Sequence, residues 1–183
     1  MAMPFRLPAS LPCLTLARQK RVSIGGRGTK LARESDTDAI TLALRALGHK
    51  ERSEREISQW LRERVDDERE VEAAIGALIE SGGLDDARFA EAFAADKREL
   101  KGWGPERIRG ALEARGIGAE HVDSALAAES PGQELDRAVQ LLDRRGARLD
   151  SESERSRALS YLARRGYAYE TAYEAVRRRE RAA

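Results

Sequence analysis

One cysteine, two histidines and nine aromatic residues are all that 183 residues offer of the side chains from which most catalytic, metal and stacking sites are made. With Cys13 alone, neither an intrachain disulfide nor a cysteine zinc site can form, and a reducing, cytoplasmic setting is the simpler reading. His49 falls in a charged turn and His121 on a helix, neither with a recurring companion, so nucleophilic or acid-base catalysis has no constellation to rest on. The chain is therefore expected to be no enzyme and to hold no metal or cofactor. Asp85 and Asp86 could be imagined as a metal pair. Adjacent residues on a helix point about 100° apart, however, and both stand where an N-cap is demanded, so capping is the stronger reading. Gly25-Gly26-Arg27-Gly28-Thr29 lacks the spacing and the strand-to-helix context of a phosphate loop.

Long apolar runs are missing too. That excludes the buried strands of a compact α/β enzyme. It also leaves no membrane span, and Arg6 with Pro4, Pro8 and Pro12 breaks every window that a secretory signal could use. What the chain has instead is charge, 36% of its residues, against 41% hydrophobic. Many short amphipathic helices, each with a thin apolar stripe and a solvated face, produce this balance.

The stretch from Trp103 to Leu126, WGPERIRGALEARGIGAEHVDSAL, reads as a helix, a tight stop and a second helix. Its pattern recurs: ALEARGIGAEHVDSAL lies without a gap over YLARRGYAYETAYEAV fifty residues on, with Gly116 over Gly166, Ile117 over Tyr167 and Leu126 over Val176. A step back to Leu61 brings Val71, Ala74 and Ile75 into register. A period near fifty seen three times is an internal repeat. Pro105 suits the first helical position, with Gly104 as N-cap and Trp103 stapled over Ile108. Gly116 and Gly166 stand where a left-handed C′ residue is wanted. Val65 occupies the glycine position of the first repeat, so that helix must end differently, with Asp66 or Asp67 capping the next one.

The reading is all-α, an elongated tandem array of three three-helix repeats of nine short helices. Residues 1–35 form a disordered basic extension, or an arm that orders on a nucleic acid or a partner. Residues 36–83 are repeat one, with Ile40, Ala43, Leu44 and Leu47 inward on a helix that Gly48 ends. The capping box Ser53-x-x-Glu56 opens its second helix, and Val71, Ala74, Ile75, Leu78 and Ile79 line its third. Residues 84–130 are repeat two, with Asp85 as N-cap, Leu84 stapled to Phe89, and Phe89, Phe93 and Leu100 inward. Residues 131–183 are repeat three, starting after Pro131-Gly132, with a capping box at Ser151-x-x-Glu154.

GLDDARFAEAF from Gly83 to Phe93, followed by KGWGPERIRGALEARGI from Lys101 to Ile117, resembles the RecX family of regulatory proteins over roughly residues 38 to 179. The resemblance implies a non-catalytic protein that binds the filament of the RecA recombinase and modulates, in the inhibiting direction, its recombinase and co-protease activities. Val65 departs from the pattern in the first repeat, and the first thirty-five residues have no counterpart.

Basic residues are unevenly spread. Lys and Arg against Asp and Glu number 7 to 1 in residues 1–35, 7 to 12 in 36–83, 7 to 10 in 84–132 and 12 to 9 in 133–183. Arg107 and Arg115 project to the flank of their helix, Arg109 to solvent, and Arg164 and Arg165 take a like place in repeat three. Such residues either solubilise a thin helical layer or form a stripe on one face of the array. With Lys101 and Trp103 they make the candidate partner surface: Lys101, Trp103, Arg107, Arg109, Arg115, Arg164 and Arg165. Trp60 and Trp103 as base-stacking platforms are outweighed by core and staple positions. The chain is expected to be a monomer with no membrane partner. The rival reading is a helical DNA-binding module acting without RecA, through weak single- or double-stranded DNA contacts. The acidic middle argues against it.

Overall fold

The computed structural model describes residues 38–182, and all of the described residues in regular structure are helical. The expected extension, Cys13 and the glycine run at 25–28 lie outside them. Among the described residues there are nine helices: α1 (Ala39–His49), α2 (Glu54–Arg62), α3 (Glu68–Glu80), α4 (Asp86–Lys101), α5 (Pro105–Glu113), α6 (Ala119–Ala127), α7 (Pro131–Arg144), α8 (Glu152–Arg164) and α9 (Tyr169–Arg181). None is long and apolar enough to cross a membrane.

Local chemistry accounts for most of the boundaries. Ser53 and Ser151 each accept from the backbone N–H three residues on and receive a glutamate in return, as the capping boxes require. Asp67 caps α3 and Asp85 caps α4. Gly104 precedes Pro105 at the start of α5. The start of α7 differs from expectation: the helix begins at Pro131 itself, because Ser130 and Gln133 form a third capping box. Gly48 does not end α1 either. The helix runs through it to His49 and leaves by an extended Lys50, so no left-handed stop is needed there.

Apolar stripes gather the helices in threes. Ile57, Leu61, Val71 and Leu78 centre one core, Ile108, Leu112 and Val122 the next, and Leu142, Leu162 and Val176 the last. In each trio the first and third helices pair: α1 on α3, α4 on α6, α7 on α9. The inward faces of α1 and α4 are alanine. Ala39, Ala43 and Ala46 are buried in α1 while Leu44 is 54% exposed, which rotates the expected face. Small side chains let the backbones approach, and the helix turns to present them. Ala90 and Ala94 do the same in α4, with Phe89 and Phe93 half-buried at the edge. Leu100, six residues past Ala94 and so about 120° round the helix, is 73% exposed rather than inward. Ile79 also faces solvent. Leu84 joins the first core and closes that trio.

The trios meet at two seams built alike. The turn after α5 rests on the first turn of α2: Ser53, fully buried, donates its Oγ to the Arg115 carbonyl at 2.7 Å. The Glu54 N–H donates to Asp86 Oδ1 at 2.9 Å. The turn after α8 rests in the same way on α5, where Gly104 N–H donates to Arg165 O at 2.8 Å and Glu106 N–H to Gly166 O at 3.1 Å. A helix N-terminus supplies unpaired N–H groups, and the turn brings the carbonyls that need them. Gly116 and Gly166 have φ of 82° and 85°. A Cβ on Gly166 would run into the backbone of Arg107, and one on Gly116 into the side chain of Arg55. Val65 takes that place in the first trio, and among the described residues no earlier trio precedes it to be approached.

Candidate partner-binding surface

The second seam collects five of the seven expected residues. Lys101 ends α4 and Trp103 and Arg107 open α5, while Arg164 and Arg165 end α8. Arg107 donates to the Arg164 carbonyl at 3.0 Å and lays its guanidinium on the Trp103 ring, 4.3 Å from the centroid. Arg165 donates to the Lys101 carbonyl and lies 5.2 Å from the Tyr161 ring. The side chains of Lys101 and Arg164 are exposed and only their carbonyls serve the seam.

Trp103 is half-buried. Its ring meets Phe93 edge-on at 6.4 Å and carries Lys97 at 5.8 Å besides Arg107. The face a base would need is thus covered by cations. Trp60 is likewise covered, by Arg64 at 4.1 Å.

Arg109 and Arg115 stand apart. Arg109 pairs with Asp123 of α6 at 2.8 Å. Arg115 is at the first seam, 3.3 Å from Glu56, with its guanidinium over Phe89 and Phe93. Arg115 and Arg165 are equivalent in the repeat, and in each the backbone carbonyl is what the preceding trio holds.

Beneath the surface, the second seam holds a polar network that sequence reading missed. Arg98 of α4, Glu129 in the link between α6 and α7, and Arg137 of α7 are 11%, 14% and 15% exposed in their side chains. Glu129 lies between the two arginines, 3.0 Å from Arg98 and paired with Arg137. Arg98 also donates to the last carbonyls of α6, at Ala125 and Leu126, and Arg137 donates to the Tyr167 hydroxyl at 3.0 Å. Burial, aided by the nearby Arg137, lowers the Arg98 pKa. Burial raises that of the Tyr167 phenol, partly offset by the hydrogen bond from Arg137. Nothing local in the sequence marks these residues, since their partners are 8 to 31 positions away.

At the first seam the charge is acidic. Burial raises the Glu54 pKa, with Asp86 adding to it, and burial likewise raises that of Asp86; His121 lowers both. Sequence reading also missed Lys97, Arg145 and Tyr161 at the second seam, although the basic excess of residues 133–183 pointed to that end of the chain.

Known proteins match this arrangement. Residues 85–126 fit the model of the second three-helix domain of RecX. A regulatory protein RecX of Deinococcus radiodurans is 32% identical over 152 residues, covering 82% of this chain and 72% of that protein. One from Thermus thermophilus is 34% identical over 141 residues, covering 77% and 92%. The crystal structure of RecX from Lactobacillus salivarius superposes with a TM-score of 0.70 at 19% identity, over 78% of this chain and 94% of that one, which is a likeness of fold. On the strength of sequence shared across most of both chains, this protein belongs to the RecX family of regulatory proteins.

Proposed function

We propose that the protein acts without catalysis, as a cytoplasmic monomer that binds the RecA filament and limits its growth or its recombinase and co-protease activities. Family membership supports the partner. The observation that carries the surface is the second seam, where Lys101, Trp103, Arg107, Arg164 and Arg165 converge from two trios. Tandem trios can each make a modest contact with successive protomers of a filament, and such contacts add through effective concentration.

The seam also says how to test it. Reversing Lys101 and Arg164 to Glu changes exposed charge but leaves the carbonyls that Arg165 and Arg107 use, so stability should stay within about 0.5 kcal/mol. Retention of the protein on RecA-coated single-stranded DNA should fall about tenfold or more, and its effect on strand exchange should fall with it, because rim charges set encounter and register. Equal retention on bare and coated DNA, with no effect of the wild type on strand exchange, refutes the reading.

A further inference from the structure

The two seams share one arrangement and differ in what ties them. At the second, bonds run from backbone to backbone: Gly104 N–H donates to Arg165 O and Glu106 N–H to Gly166 O. The fit is close at two glycines, since a Cβ on Gly166 would strike the Arg107 backbone and one on Gly102 the Leu141 side chain of α7. Beneath them the buried Glu129 is shared by Arg98 and Arg137. Backbone groups fixed in helical turns have no rotamers to pass through, so trios two and three are held in one setting.

At the first seam, among the described residues, no backbone-to-backbone hydrogen bond joins the two trios. The ties pass through side chains: Ser53 Oγ donates to the Arg115 carbonyl, Asp86 Oδ1 accepts from the Glu54 N–H, and Arg115 pairs with Glu56 at 3.3 Å. The fit at Gly116 is likewise against the Arg55 side chain. Rotation about side-chain bonds re-aims such ties at little cost. Carboxylates also gather here, Glu54 and Glu56 of α2 standing near Asp86 of α4 and its N-cap Asp85. The cations around them are mostly engaged. Arg115 is bound to Glu56, Arg88 donates to the Gly82 carbonyl, and His121 of α6 lies 3.6 Å from Glu120.

We propose that the first seam is a proton-set bending joint: trio one closes on trio two while the Glu54–Asp86 pair carries a proton and swings away when both are ionised, whereas trios two and three move as one body. Burial raises the pKa of both groups in the closed form, and the neighbouring Asp85 and Asp86 add to this at Glu54. His121 pulls the other way on both. Opening the seam returns the two carboxyls to water and to the ordinary carboxylate range. The closed form therefore binds these protons more tightly than the open form, and a rise in pH through the raised values shifts the population towards the open one. This inference does not rest on the RecA reading and is tested without RecA.

The measurement is the distance distribution between paired spin labels on the full chain, with Cys13→Ser as background so that only the labelled positions react. Glu72→Cys with Asp96→Cys spans the first seam and Asp96→Cys with Ser160→Cys the second, at residues that are all exposed. Between about pH 4.5 and about pH 7.5, the longer-distance population of the first pair should rise about threefold or more. The second pair should keep one distance throughout. Glu54→Gln with Asp86→Asn removes both charges while the side-chain oxygen at position 86 still accepts the backbone N–H of position 54. That double variant should hold the short distance at both pH values. A single unmoving distance across the first seam, equal broadening across both seams, or a pH response that survives in the double variant overturns the proposal.

Discussion

Gly116 and Gly166 meet two separate demands, a positive φ and a close approach, and the two sites differ in the second. At Gly166 the obstacle to a Cβ is the Arg107 backbone, fixed in the first turn of α5. At Gly116 it is the Arg55 side chain, which can move. Gly116→Ala should therefore cost about 1 kcal/mol, the expense of a left-handed alanine, and Gly166→Ala about 2 kcal/mol or more. Denaturant unfolding of both variants decides it, and equal costs would remove the close-approach argument. A second residue-scale test concerns Glu54 and Asp86. Both pKa values are raised in the folded chain, so the native state holds these protons more tightly than the unfolded state. Their contribution to stability is greatest below the ordinary carboxylate range and is lost as pH rises through the raised values. Glu54→Gln should accordingly raise the melting temperature at pH 7, and the gap to wild type should close as pH falls towards about 4. A gap that widens on acidification contradicts the assignment.

Among the helices, α4 shows how packing overrides pattern. Its apolar residues suggest a stripe through Phe89, Phe93 and Leu100, yet Ala90 and Ala94 are the fully buried pair, because α4 lies close on α6 and only a methyl fits between them. Ala94→Leu should overpack that contact and destabilise by about 1–3 kcal/mol, whereas Leu100→Ser should be nearly neutral. Thermal melts of the two variants give the comparison, and a neutral Ala94→Leu would show the core to be looser than it is drawn. The same closeness explains the rotation of α1. Periodicity reports that a helix is amphipathic, but where alanines and leucines compete for one face, the neighbour's distance chooses between them. The ends of the helices needed no such arbitration. Ser53, Asp67, Asp85, Gly104 and Ser151 cap within their own first turn, and Ser130-x-x-Gln133 would have been legible by the same rule.

At the scale of the molecule, each trio has its own core, and the seams between trios are mostly polar. The buried Arg98–Glu129–Arg137 network joins the second and third trios, and Glu129 is the one carboxylate shared by both arginines. Glu129→Gln should cost about 3 kcal/mol by leaving two buried cations facing each other, and should split unfolding so that the third trio melts first. A single unshifted transition would show the seam to be dispensable. The helices, most of their caps, the threefold repeat and the family were readable in the chain, because each depends on residues within a turn or on a pattern copied at a fixed step; the end of α1 past Gly48 and the start of α7 were not. The candidate surface was only half readable. That arginines recur could be seen; which of them are spent on Asp123, Glu56 or a neighbouring carbonyl, and which are left with no carboxylate beside Arg145 and Arg157, could not. Pairing is set by how separate helices approach in space, over separations such as the 59 residues between Glu56 and Arg115, and only the tertiary structure brings those partners within reach of one another.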